Sequence, residues 1–339
     1  MKRGILVVTQ VVDANDPVLG FFVGWLRELG STGEPILTVC WRRGASLDLP
    51  KNVRVFVAPS GGLRRVVWLC TFSFAHRREV QSVFVHMIPP VIAAIGWWWR
   101  LLGWHIVLWY THAQVTNALR VATLFSHEVL TATPGGFQIE TKKKCVTGHG
   151  VDLSIYRSLN LSRGPLMLTV GRVTPVKQLE LVIDLCLALR HRDPALSFRV
   201  AFIGEPRTGD DERYLKRLKE RVRVAGLESI VSFLGAKTGE SLIRLYSEAA
   251  LLVSATKPGS LDKVVLEALA CETPCLTIGE AYLGISGVYV ASSAWEDGAL
   301  QFADESLRYP QAHPEARKAV AEKADLRQLI QTIRQRLTI

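Results

Sequence analysis

Two doubly wound α/β domains facing each other across a cleft are what this sequence predicts, and three observations predict them. Short apolar runs rich in Val, Ile and Leu alternate with longer amphipathic stretches along almost the whole chain. The runs are largely continuous rather than alternating in polarity, which is how strands buried on both faces of a parallel sheet read. A polar stretch at 156–163 then splits thirteen such runs seven to six, too many for one comfortable sheet.

In order, the expected strands are 4–9, 35–41, 53–58, 82–87, 105–111, 129–133 and 145–147. After the polar break come 166–171, 198–204, 230–234, 250–255, 274–278 and 288–290. Amphipathic helices are expected at 178–191, 211–225 and 240–249, and the tail 316–337 reads as one more helix, rich in Arg and Lys. The domain reading is therefore 1–160, then 161–315, then a tail at 316–339 that could pack back on the first domain. Ligands of such sheets bind at the carboxyl ends of the strands, so the chemistry is sought there.

A formal charge of +10 is unevenly spread over the 339 residues, with 17 Lys/Arg against 9 Asp/Glu in 1–160 and 24 against 22 thereafter. An acidic partner of the first half is implied. The composition excludes a disordered, collagen-like or disulfide-scaffold protein. Six cysteines are scattered without zinc-site spacing and read as reduced core thiols. Thr9, Gln10 and Asp13 interrupt what would be a signal-peptide core, which favours a cytoplasmic protein. The stretch 91–110 reaches transmembrane length, but Gly103 divides it into a helix and a strand. Trp97, Trp98 and Trp99 cover about 200° of that helix, so at least one should lie near the surface.

The strongest chemical signal follows the strand at 166–170. Gly171 permits a tight turn, and Arg172 and Lys177 flank a helix start whose free N–H groups favour anions. Two fixed cations there suit a diphosphate, and the bland alternative is a pair of surface cations. Further on, the run 254–277, SATKPGSLDKVVLEALACETPCLT, delivers a loop into a helix at 262–270. Gly259 and Ser260 would expose backbone N–H groups there. Glu267 lies among Val, Leu and Ala, so it needs a donor such as a ribose diol unless it sits on the helix surface.

Together, VGRVTPVKQLELVIDL and KPGSLDKVVLEALACETPCL resemble the retaining, nucleotide-sugar-dependent glycosyltransferases of family 4, which have the GT-B fold of two Rossmann-like domains. LWYTHAQVTNALRVA, VLTATPGGF and GHGVDLSIY are similar to first-half segments of that family. The resemblance implies that Arg172 and Lys177 bind the donor diphosphate as it leaves, that Glu267 holds the ribose, and that His112 approaches the sugar. It places Gly259, Ser260 and Leu261 at the hexose, and Leu19 and Gly20, with Gly171, at the donor phosphates. One departure stands out: eight residues before Glu267 is Gly259, so the first Glu of E-x7-E is absent, and Asp262 is the nearest acid.

For retaining members the resemblance implies same-face attack, a leaving-group phosphate oxygen taking the acceptor proton. No cofactor is implied beyond the nucleotide sugar as co-substrate, and no metal, since the chain has no D-x-D. His86 and His149 could line the acceptor side, although His86 also reads as a satisfied histidine at a strand end. Basic pairs in the first half and the Trp-rich helix point to a lipid-linked or glycan acceptor and an anionic membrane, contacted peripherally from the cytoplasmic face. Nucleic acid is not expected, because the basic residues are not interleaved with aromatics. A catalytically impaired nucleotide-sugar-binding protein and a nucleotide-sugar epimerase are the alternatives.

Overall fold

The computed structural model describes residues 3–16, 18–45, 47–256, 261–292 and 295–337. The chain divides into two compact units, Met1–Gly150 with Leu326–Ile339, and Val151–Asp325. Every one of the thirteen expected runs overlaps a strand.

In the first unit the strands are β1 (Gly4–Val8), β2 (Ile36–Cys40), β3 (Val53–Val57), β4 (Val80–His86), β5 (His105–Trp109), β6 (Glu128–Thr131) and β7 (Lys144–Val146). They pair in parallel in the order β3-β2-β1-β4-β5-β6-β7. This is the doubly wound order, whose direction reverses between β1 and β4. Helices α1 (Phe22–Gly30), α2 (Gly62–Ala75), α3 (Pro89–Leu101) and α4 (Asn117–Phe125) connect the strands. Leu6, Val8, Val83, Val85, Ile106 and Leu108 point to one face and form a core with α2, α3 and α4. On the other face Trp25 of α1 packs edge-on against Trp109 and stacks on Phe84.

The second unit repeats the plan with β8 (Gly164–Val170), β9 (Arg199–Ile203), β10 (Val231–Phe233), β11 (Ala249–Ser254), β12 (Cys275–Thr277) and β13 (Val288–Val290). Their order is β10-β9-β8-β11-β12-β13, again all parallel, with the switch between β8 and β11. Alternate residues feed two cores. Met167, Phe202, Leu251 and Val253 meet α5 (Leu179–Arg192), α6 (Gly209–Val224) and α9 (Asp297–Arg308). Leu168, Ala201, Ile203 and Leu252 meet α7 (Gly239–Glu248), α8 (Lys263–Ala270) and α10 (Pro314–Lys323). Continuous apolar runs were needed because both faces are covered.

The tail is two helices rather than the single one expected: α10 is followed by α11 (Leu326–Leu337). The apolar stripe Ala316, Ala319, Val320 would continue at 323 and 327, but Lys323 and Arg327 are exposed. The helix stops at Ala324, whose carbonyl accepts from Val151 N at 2.8 Å while residue 325 bridges to Val151. A second stripe, Leu326, Leu329, Ile330, Ile333 and Leu337, then seats α11 against α1 in the first unit. Arg334 fastens it by donating to Leu29 O at 2.6 Å and to Glu34 at 2.5 Å.

The stretch 91–110 is α3, a turn at Gly103 with φ +73°, and β5. No helix among the described residues is long and apolar enough to cross a membrane. Trp99 is fully buried, Trp98 half-buried and Trp97 48% exposed, so the three consecutive rings divide as helical geometry requires. All six cysteines are free, four of them buried.

Candidate active site

Three strand ends in the second unit finish on glycine. Gly171 follows β8 with φ +138°, Gly204 follows β9 with φ +147°, and Gly235 stands two residues beyond β10 with φ +69°. Gly171 N donates to Ile203 O, and Gly204 N to Gly235 O, each at 2.9 Å. A Cβ on Gly204 would fall 1.9 Å from Gly171 O, so the backbones meet where no side chain fits. Of these only Gly171 was singled out from the sequence. The repeated pattern of an apolar run ending in Gly (TVG, FIG, FLG) carried the other two.

The chain leaving Gly171 does not enter a helix directly. Pro175–Lys177 forms one 3₁₀ turn, and Gln178, left-handed at φ 45°, joins it to α5. The first N–H of α5, on Leu179, donates to the Tyr214 hydroxyl at 2.8 Å, and Glu180 stands in its first turn. The expected free, anion-binding helix start is therefore already engaged, and the cations are presented by the turn instead.

Lys177 folds back beside Gly171, where a Cβ would lie 3.1 Å from its Cε. Its Nζ donates to Asp262 Oδ2 at 2.6 Å, and its side chain is only 19% exposed. The same Oδ2 accepts from Ser254 Oγ at 3.0 Å and Thr256 Oγ1 at 2.7 Å, both at the carboxyl end of β11. Asp262 occupies the N-cap position of α8, yet its carboxylate caps nothing on that helix. The loops after β8 and β11 are thus joined across the switch point by a charged hydrogen bond. Arg172 lies nearby in sequence and is half exposed, its Nε 3.9 Å from buried Asp211. Burial pushes the Asp211 carboxyl up. Hydrogen bonds from Thr174, Arg207 N and Thr208, with the Arg172 charge, outweigh it and hold the group below the ordinary carboxylate value.

Glu267 is buried at 3% exposure, which excludes the helix-surface reading. Its Oε1 lies 2.7 Å from Lys263 Nζ, one turn earlier on α8, and its Oε2 accepts from Tyr246 at 3.3 Å. Tyr156 also hydrogen-bonds it, and burial together with this carboxylate drives the Tyr156 phenol far above its ordinary value. The donors that the sequence argument sought in a ribose are supplied within the fold. Leu261 is half-buried beside Asp262, while Gly259 and Ser260 lie outside the described residues.

In the first unit, His112 follows β5 in an exposed loop, its Nδ1 accepting from Gln114 N at 3.1 Å. Gly20 closes a turn so tight that a Cβ would lie 2.6 Å from Asp16 O. Asp16 caps that turn through the N–H groups of Val18 and Leu19 and pairs with Arg42. His86 and His149 are not on an open surface. His86, at the end of β4, is 2% exposed, bonds Thr9 Oγ1 at 3.3 Å and packs 4.4 Å from the Phe22 ring. His149 lies among Phe21, Trp25 and Trp109. Aromatic packing fills this unit's switch point, so the acceptor-lining expectation for His86 gives way to the satisfied core histidine.

Burial, aided by His149, pushes the His86 imidazole from 6.5 down to about 3. In the unfolded chain it takes a proton below about 6.5. Between those values the unfolded state binds the extra proton, so this stability is full at neutral pH and is lost as pH falls through that window. Urea midpoints of His86→Phe should therefore drop less between pH 7 and pH 4 than those of the parent chain. Parallel curves would count against the assignment.

Residues 164–305 match the family model for glycosyl transferases group 1. A D-inositol 3-phosphate glycosyltransferase from Actinosynnema mirum is 31% identical over 190 residues, which are 50% of this chain and 45% of that protein. A mannosylfructose-phosphate synthase from Agrobacterium fabrum is 33% identical over 111 residues, 33% of this chain and 24% of that protein. The chain thus spans less than half the length of these curated relatives. Among solved structures, HepE of Anabaena in complex with UDP and glucose superposes with a TM-score of 0.73 at 15% identity, covering 99% of this chain and 100% of that one. Sucrose-phosphate synthase from Thermosynechococcus elongatus gives 0.73 at 15% identity over 98% of both chains. The family match thus lies within the second unit, and the chain as a whole has the GT-B fold.

Proposed function

We propose that this chain is a retaining glycosyltransferase that moves a hexose from a nucleoside-diphosphate sugar to a lipid-linked or glycan acceptor at the cytoplasmic face of a membrane. The observation that carries the reading is the Lys177 ammonium, fixed at the carboxyl end of β8 by Asp262, with Arg172 on the same strand-end segment and held near Asp211. Breaking the anomeric bond leaves extra negative charge on the departing diphosphate. Cations already oriented for that charge cost no reorganisation when it forms. Lys177 contributes a point charge, and Arg172, half exposed, has donors available for a bidentate contact. His112 would approach the sugar, as the family resemblance implies. The proposal invokes no metal.

The missing first Glu of E-x7-E argues for an impaired protein, but a carboxylate does stand nearby. Asp262, three positions later, is buried to 10% exposure and contacts Lys177 directly. That supports a working site arranged differently, over a dead one.

HepE is described with UDP, and its likeness makes UDP-sugars the first donors to try. In a thermal-shift panel of UDP-, GDP- and ADP-sugars, one nucleotide should raise the melting temperature. A ligand at 100 times its Kd adds about 2.7 kcal/mol to the folded state. No shift with any nucleotide sugar at millimolar concentration would sink the proposal. Conversion of donor alone to an epimer would replace transfer with epimerisation.

A further inference from the structure

Three neighbouring helices of the first unit present an outer face without a single acidic residue. None of α2, α3 and α4 contains Asp or Glu. From residue 62 to 125 there are six arginines, at 64, 65, 77, 78, 100 and 120, against one acid, Glu79, which pairs with Arg54. The helices are adjacent, α2 on α3 and α3 on α4. Trp98 Nε1 donates to Cys70 O at 3.2 Å, and Trp99 Nε1 to Ser73 Oγ at 2.8 Å, fixing the first pair. In the second pair, a Cβ on Gly96 would fall 2.7 Å from Phe125 Cβ, so those helices approach closely.

The outward stripes of these helices are apolar. Leu63 is 80% exposed, Leu101 72%, Leu124 70% and Val67 55%, with Phe74 and Trp97 at about half. Leu63, Val67 and Phe74 recur at helical spacing along one face of α2. The Arg77 guanidinium lies 4.0 Å over the Phe74 ring, Phe74 neighbours Trp98 at 6.4 Å, and Trp98 neighbours Trp97 at 5.8 Å. Phe74, Trp98 and Trp97 thus form one aromatic cluster with a fixed guanidinium, Arg77, on it.

We propose that the outer face of α2, α3 and α4 is a docking surface for an anionic lipid bilayer. Leucine and phenylalanine at the tips enter the acyl boundary, Trp97 suits the headgroup level, and the arginines meet lipid phosphates. Basic residues near an anionic surface strengthen binding to it, and none of the three helices carries a carboxylate to oppose them. A second copy of the chain is the weaker occupant, because a two-fold contact would set this arginine-rich face against itself. The inference deepens the membrane part of the proposed function and rests on that part, not on donor chemistry.

Co-sedimentation of the full chain at low salt tests it, with vesicles of phosphatidylcholine alone and with one quarter phosphatidylglycerol. The parent chain should partition onto the anionic vesicles only. Leu63→Glu and Trp97→Glu should each lower that partition at least tenfold with unchanged melting temperature. Val224→Glu, on exposed α6 of the second unit, should leave it unchanged. If the parent binds while Leu63→Glu and Trp97→Glu bind equally well, this face is the wrong one and the membrane reading survives. If the parent does not bind at all, both fall, while nucleotide-induced stabilisation still judges the donor site separately.

Discussion

Lys177→Ala is expected to lower sugar transfer by roughly 10²–10³-fold while both units stay folded. The size follows from what the ammonium does in each state. In the resting protein it meets Asp262 at 2.6 Å, so part of its charge is already answered. In the proposed transfer, the diphosphate gains charge as the glycosidic bond breaks, charge that the resting state lacked, and only preorganised donors stabilise it without rearrangement. Losing one such donor costs on the order of 2–4 kcal/mol in the barrier. The folded state loses less, because Asp262 keeps the Ser254 and Thr256 hydroxyls as donors. Arg172→Ala should follow the same course with a smaller effect on melting, since its side chain is 46% exposed. Rates of nucleotide release from the matched donor, read beside melting curves, separate the two effects. Near-normal turnover in either variant would remove the phosphate assignment, whereas a loss of activity no larger than the loss of folded protein would make Lys177 merely structural.

The strands were legible because burial on both faces leaves a local mark, a run rich in Val, Ile and Leu. The cations were legible for a related reason, since a strand end in an open sheet is a place the sequence itself locates. What could not be read were the partners. Lys177 and Asp262 lie 85 residues apart, and only the β8–β11 adjacency makes them neighbours. Glu267 announced its burial through its apolar company. Its Lys263 partner stands at helical i,i+4 spacing, but Tyr246 belongs to another helix. The partners of the polar stretch at 156–163 were hidden for the same reason. Its Arg163 donates to the carbonyls of Tyr246, Ala249 and Cys271, finishing two helices distant in sequence. The tail broke where Val151, far back in the chain, claimed the Ala324 carbonyl.

Gly204→Ala should be the most damaging small substitution in the second unit, and the reason couples stability to the site. Its φ of +147° is open to glycine and strained for any L side chain. The added methyl would also fall 1.9 Å from Gly171 O and 2.8 Å from Gly171 C, both backbone atoms that no rotamer change can move. Relief requires β8 and β9 to part at their carboxyl ends, where Gly171 N–Ile203 O and Val173 N–Glu205 O hold them together, while Gly204 N–Gly235 O ties β9 to the segment after β10. Strain at one such backbone position costs about 1–3 kcal/mol, and broken ladder bonds add to it, so a total loss of at least about 3 kcal/mol is expected. Gly226→Ala isolates the collision. That glycine also has positive φ, +65°, but a Cβ there meets nothing within 4 Å, so only about 1 kcal/mol should be lost. Equal losses in denaturant melts of the two variants would refute the steric argument. Because the part of the chain that must yield is Gly171, which positions Arg172 and Lys177, whatever Gly204→Ala protein still folds should also have lost its stabilisation by nucleotide sugar. Gly226→Ala should keep it in full.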